Sequence, residues 1–170
     1  LGKSVKTIGN NAFYGCTALS GELYLPESIQ TIGSQAFYNT GISGKLTLPK
    51  SLTRLGENAF QNCTKLLNVT NASKITTIET STFAGCNSLQ TVTGLNNIIA
   101  IKDNAFRGCE KLTKLTDLEK LETIGGYAFN NCYALESIDN LSKLKTIGYE
   151  AFWNCTSLKE IKNLDSLETL

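Results

Sequence analysis

Six cysteines are the residues of this chain best suited to chemistry, and their spacing limits what kind. They stand at 16, 63, 86, 109, 132 and 155, each three residues after a phenylalanine. Structural zinc needs thiolates that converge, usually from close Cys-x-x-Cys pairs, and none is present. Disulfides between neighbouring copies are geometrically conceivable, because equivalent Cα atoms on adjacent strands lie roughly 5 Å apart. The reading that fits the spacing best is a column of small buried hydrophobes with free thiols. Such a column needs no bond, and Thr40 or Gly41 fills the slot where the second copy lacks cysteine.

Other chemistry is absent. The chain has no histidine, which removes Ser-His-Asp and Cys-His catalysis, imidazole zinc sites and a pH switch near neutrality. No Gly-x-x-x-x-Gly-Lys-Ser/Thr phosphate cradle occurs. Glu22, Asp139 and Glu160 recur at exposed strand positions, where a solvated face accounts for them. No catalytic residue, metal site or cofactor is expected. Asn62, Asn68, Asn71, Asn140 and Asn154 open Asn-x-Ser/Thr sequons, which a polar-rich repeat generates by accident.

The elements that carry these residues are copies of one unit. Phenylalanines 13, 37, 60, 83, 106, 129 and 152 are spaced by 24 and then five times by 23, with Ala or Thr before each. A fixed period in this range signals a solenoid. Aligned on phenylalanine, a unit reads A-F-x-x-C-x-x-L-x-x-I-x-x-L-x-x-L-x-x-I-G. Leu135, Ile138, Leu141, Leu144 and Ile147 repeat every third residue, as do Leu112, Leu115, Leu118, Leu121 and Ile124. Period three fits neither a helix of 3.6 nor a strand of 2. A coil of short strands and corners, returning an apolar side chain to the axis at each step, fits it.

Local signals place the corners. Leu23-Tyr24-Leu25-Pro26 and Leu46-Thr47-Leu48-Pro49 read as short strands stopped by proline. Asn71, Gly94, Asp117, Asn140 and Asn163 replace the second leucine in later turns, so the strand shortens into an Asx or Gly corner. Gly9, Gly33, Gly56, Gly125 and Gly148 follow the last apolar position and are expected at positive φ, although Glu79 and Lys102 stand there in turns three and four. One helical or 3₁₀ turn is expected around each Ala-Phe.

Sixteen basic and fifteen acidic residues give a formal net charge of +1. No basic excess points to nucleic acid, and no long apolar run points to membrane insertion. The chain starts and stops in mid-repeat without a polar cap, from Val5-Lys6-Thr7-Ile8 to Leu167-Glu168-Thr169-Leu170. The expectation is one solenoid of about seven 23-residue turns over residues 1–170, cut from a longer array. Uncapped ends leave end-to-end self-association open.

The unit I-G-x-x-A-F-x-x-C-x-x-L-x-x-I-x-L-P resembles the BspA-like, or Treponema pallidum-type, leucine-rich repeat. Ile32-Gly33-Ser34-Gln35-Ala36-Phe37, Leu55-Gly56-Glu57-Asn58-Ala59-Phe60-Gln61-Asn62-Cys63 and Leu46-Thr47-Leu48-Pro49 carry the likeness, which extends over the whole chain. The resemblance implies a curved, right-handed, β-rich α/β superhelix whose parallel strands line a concave face. It implies secreted or surface proteins of bacteria and some protists, associated with adhesion, and it supplies no catalytic motif.

Residues that stacking does not demand are the candidates for binding. One outward column of the leucine-rich strand runs Tyr24, Thr47, Thr70, Thr93, Thr116, Asp139, Lys162; its neighbour runs Glu22, Lys45, Asn68, Thr91, Lys114, Ser137, Glu160. A second exposed column runs Thr7, Thr31, Arg54, Thr77, Ala100, Thr123, Thr146, Thr169. Tyr127, Tyr133, Tyr149 and Trp153 gather late; Tyr127, Tyr149 and Trp153 form a secondary candidate patch, with shielding of the joint between turns six and seven as the alternative role. The expected partner is a protein or glycan on the strand face. The alternative is a spacer that displays another domain.

Overall fold

The computed structural model describes residues 1–71 and 73–170. Strands of two residues have no independent stability, so each must be held by its copy one turn away. Among the described residues, fourteen short strands alternate between two walls. The front wall holds β2 (Ser20–Gly21), β4 (Gly41–Leu48), β6 (Lys65–Asn71), β8 (Thr91–Thr93) and β10 (Lys114–Leu115), hydrogen-bonded in that order, then the pair β12 (Ser137–Ile138) and β14 (Glu160–Ile161). The second wall holds β1 (Thr7–Ile8), β3 (Thr31–Ile32) and β5 (Arg54–Leu55), then β7 (Thr77–Ile78), β9 (Ala100–Ile101), β11 (Thr123–Ile124) and β13 (Thr146–Ile147). Every pairing is parallel, and most advance by one repeat, as in Thr47↔Thr70↔Thr93 and Ala100↔Thr123↔Thr146. The result is a parallel-strand β-solenoid of about seven turns.

The period-three residues fill the axis. Leu112, Leu115, Leu118, Leu121 and Ile124 are all buried, as are Leu135, Ile138, Leu141, Leu144 and Ile147. The seven phenylalanine rings form one offset stack, with centroids from 5.1 Å (Phe13–Phe37) to 5.7 Å (Phe60–Phe83) apart. Stacked aromatics of this kind contribute about 0.5–1.5 kcal/mol per pair beyond area burial. Phe13 and Phe152, on the first and last turns, are only half-buried.

The Ala-Phe segments are turns, and the expected helical or 3₁₀ turn does not form among the described residues. Left-handed residues flank each phenylalanine at two positions before and after, such as Asn58 (φ 56°) and Asn62 (φ 60°) around Phe60, and they stop any helical run. The N–H groups therefore alternate in direction. Phe60 N donates to Thr82 O of the next turn at 2.9 Å, Gln61 N to Asn58 O at 3.1 Å, and Asn62 N to Ala84 O at 2.8 Å. In the walls the donors run both ways, as parallel pairing requires: Gly56 N donates to Ile32 O of the earlier turn at 2.8 Å, and Ile147 N to Thr169 O of the later turn at 3.0 Å.

Three local expectations are corrected. Gly9, Gly33, Gly56, Gly125 and Gly148 are not at positive φ. For Gly33, Gly56, Gly125 and Gly148 the constraint is space: a Cβ on Gly125 would sit 2.5 Å from Asp103 Oδ1 and 2.6 Å from its backbone nitrogen. Ordinary φ explains why Glu79 and Lys102 are tolerated at this position. Leu23-Tyr24-Leu25-Pro26 forms no strand. Its turn pairs out of step, with Ser20↔Gly41 and Gly21↔Ile42 offset by 21, and the ladder ends where a 23-residue offset must resume. Cys16, in the first described turn, is exposed and not buried. The Asx or Gly corner forms at Gly94, Asp117, Asn140 and Asn163, all at positive φ, but not at Asn71, which ends β6 as a strand residue; the front strands shorten from eight residues in β4 to two in β10.

Candidate functional site

The front wall offers one uninterrupted plate, β4-β6-β8-β10, with a cleft at each end. Register places Lys45, Asn68, Thr91 and Lys114 in one outward column. Thr47, Thr70 and Thr93 form the next column, with Thr116 continuing it. Neighbouring strands lie about 4.8 Å apart, so these side chains form a fixed lattice. Thr91 donates to Asn68 Oδ1 at 2.6 Å, and Thr93 to Thr70 Oγ1 at 3.5 Å. Thr116 donates to Asp117 Oδ2 at 2.5 Å, and the same oxygen accepts Gly94 N at 2.9 Å. Asp117 was read only as a corner residue; its carboxylate ties the corner of one turn to the edge of the plate.

Glu22 and Tyr24 lie beside this plate, off any strand. The Tyr24 hydroxyl donates to Glu22 Oε2 at 2.8 Å, and that bond, with the carboxylate charge, raises the phenol pKa above its usual value. Tyr24 is 76% exposed. Together with Lys45, Thr47 and Pro49 they line a cleft of about 140 Å³, opened by the failed ladder between turns one and two. At the other end, β12 does not join β10, and a wider cleft of about 380 Å³ is lined by Lys114, Glu136, Ser137 and Asp139. Beyond it Lys162 and Glu160 form an exposed ion pair at 2.7 Å, which raises the lysine pKa.

The late aromatics stand apart from the front columns, on the Ala-Phe edge. Tyr127 and Tyr149 meet edge to face across turns six and seven, with centroids 5.5 Å apart at 78°. Tyr127 is half-buried, whereas Tyr149 and Trp153 remain exposed. Tyr14 and Tyr38, in the position of Trp153, stack at 4.6 Å. The second-wall column is interrupted between β5 and β7; the middle residue of the Asn71 sequon lies outside the described residues. Asn71 itself is buried: its Oδ1 accepts from Ser73 N and the Ser73 hydroxyl, while its Nδ2 finds no partner among the described residues.

Five of the six cysteines belong to the interior. Cys63, Cys86, Cys109 and Cys132 are buried free thiols, and Cys155 is half-buried. Each donates to the carbonyl oxygen of the phenylalanine one turn earlier at 3.1–3.2 Å. Thr40 fills the second-turn slot, with its hydroxyl on Phe37 O at 3.0 Å.

The profile of the BspA type leucine rich repeat region matches in six copies over residues 1–113 and 91–170. The chain belongs to this family. Among solved structures, this BspA-type solenoid is similar to a leucine-rich repeat protein from Bacteroides ovatus, at 26% identity and TM-score 0.75, over 99% of this chain and 55% of that one. It is similar to another from Eubacterium ventriosum, at 28% identity and TM-score 0.80, over 92% and 42%. It also resembles the T. pallidum leucine rich repeat protein, at 25% identity and TM-score 0.67, over 70% and 58%. The chain therefore spans about half the length of these relatives. No curated protein matches it.

Proposed function

We propose that the chain is a non-enzymatic binding module of a secreted or cell-surface bacterial protein, part of a longer array, presenting its front strand face to a protein or glycan. One observation carries this reading. The outward columns of the front wall consist of residues that stacking does not require, yet β4-β6-β8-β10 hold them in strict register. A rigid, preorganised face loses little entropy when it binds. Family membership supports the surface location, through the adhesive proteins the resemblance implies.

The test is surface plasmon resonance of purified matrix proteins and glycans over the immobilised chain, with Thr70→Arg/Thr93→Arg as the comparison. Saturable binding that the double variant abolishes supports the reading. No saturable binding to any of them favours the spacer role, in which the solenoid only holds another domain at a distance.

A further inference from the structure

Within that reading, the chemistry of the front face selects one class of ligand. We propose that the cleft between Tyr24 and Lys45 holds one end of a neutral, hydroxyl-rich glycan, whose chain then runs along the solenoid axis over Thr47, Thr70 and Thr93.

Charge argues first. The two front columns contain three acids (Glu22, Asp139, Glu160) and three lysines (Lys45, Lys114, Lys162), so their net charge is zero. Glu160 and Lys162 neutralise each other at 2.7 Å, and Glu22 accepts the Tyr24 hydroxyl. A sulfated or sialylated chain is favoured by a one-signed basic field, whereas each lysine of the plate shares its cleft with an acid, Lys45 with Glu22 and Lys114 with Asp139. Between Lys45 and Lys114 the two columns offer Thr47, Asn68, Thr70, Thr91 and Thr93, all uncharged. Hydroxyls and amides both donate and accept, which matches a ligand made of hydroxyls. The columns carry no tryptophan or arginine, and their only aromatic stands at one end, whereas protein interfaces concentrate energy in central Trp, Tyr and Arg anchors.

Tyr24 supplies what a sugar ring needs. Its ring is three-quarters exposed and stacks on no other aromatic among the described residues. The bond to Glu22 holds it beside the cleft. A flat, rigid aromatic of two torsions offers contact at low entropic cost, and the C–H face of a pyranose is its natural counterpart. Glu22, Lys45 and Thr47 around the cleft then supply hydrogen-bond partners for ring hydroxyls.

The experiment probes a printed array with the fluorescently labelled chain. The array holds neutral glycans of glucose, mannose, galactose and N-acetylhexosamines beside sialylated and sulfated ones. The strongest neutral oligosaccharide is then titrated by calorimetry. The expected result is signal confined to neutral glycans. Tyr24→Ala should weaken binding about tenfold or more, which corresponds to about 1.4 kcal/mol. Tyr24→Phe should keep most of the affinity, and Tyr14→Ala should leave it unchanged. Circular dichroism confirms that each variant is folded, as the exposure of both side chains leads one to expect. Signal only on acidic glycans, no glycan signal at all, or an unchanged Tyr24→Ala affinity overturns the proposal. If glycans fail but a matrix protein binds and Thr70→Arg/Thr93→Arg abolishes that binding, the glycan is wrong while the binding face stands.

Discussion

The Cys86 thiol donates to the carbonyl oxygen of Phe60, one turn earlier, at 3.2 Å. The same oxygen accepts Cys63 N of its own turn, so the carbonyls of Phe60, Phe83, Phe106 and Phe129 each close their own turn and receive the next. The cysteine slot is thus a weak hydrogen-bond donor as well as a small hydrophobe, and threonine can replace it at position 40.

Thiol accessibility follows from this ladder. Cys16 is exposed and Cys155 half-buried, whereas Cys63, Cys86, Cys109 and Cys132 are enclosed. Titration of the native protein should label Cys16 promptly and Cys155 slowly, with burial raising the Cys155 pKa to about 11. The remaining four should react only on denaturation. Six thiols should be counted in denaturant without reductant; none would mean disulfides instead.

Alkaline pH should weaken the fold through the same residues. Burial pushes the Cys86 and Cys109 thiols well above their ordinary 9.0. Between the unfolded and folded pKa values the unfolded chain has lost protons that the native one keeps, so stability falls with rising pH. The contribution is whole below about pH 9 and is lost progressively above it. Melting temperature should drop more between pH 8 and pH 10 in the wild type than in Cys86→Ala/Cys109→Ala. Equal drops in the two proteins would contradict this.

Much of this architecture was legible because phenylalanine recurs seven times at a near-constant spacing and the other apolar positions keep phase with it. Leu112 to Ile124 and Leu135 to Ile147 name the core by period alone, and the register of Thr47, Thr70 and Thr93 follows from their 23-residue spacing. What escaped depends on contacts between turns. Gly125 and Gly148 looked like conformational glycines, but their neighbours forbid a Cβ. The Ala-Phe segments lack strand character, yet the left-handed residues that break a helix there include Gln35, Ser81, Tyr127 and Glu150, which no propensity scale places at positive φ. Tyr24 reads as strand from its alternation with Leu23 and Leu25; the mismatched offset at Ser20–Gly21 removes the pairing.

Glycine substitutions separate space from conformation. At Gly148 a new Cβ would lie 2.5 Å from Gly126 N, whereas at Gly9 it would meet nothing within 4 Å. Gly148→Ala should lose about 1–3 kcal/mol, as overpacking typically does. Gly9→Ala should change stability little. Chemical denaturation of both variants checks this, and equal effects would argue for a backbone requirement common to both positions.

Phenylalanine truncation measures the coupling between turns. Phe106 stacks on Phe83 at 5.6 Å and Phe129 at 5.4 Å, while Phe13 stacks on Phe37 alone at 5.1 Å. Phe106→Ala should cost about 3–5 kcal/mol and broaden the transition, because stability in such arrays is a sum of turn and nearest-neighbour terms. Phe13→Ala should fray one end at smaller cost. Urea unfolding followed by circular dichroism compares the two; equal losses with an unchanged slope would indicate a single undivided core.

The central claim is that the front wall, and not the second wall, is the binding surface. Its most direct test compares Thr70→Arg/Thr93→Arg with Thr123→Arg/Thr146→Arg, two pairs that each place arginines at register-matched positions on adjacent strands. Both are measured by surface plasmon resonance against the same immobilised ligand. The front-wall pair should abolish saturable binding and the second-wall pair should leave the affinity within about twofold, a difference under 0.5 kcal/mol. Loss of binding in the second-wall pair, with the front-wall pair unaffected, would contradict the account.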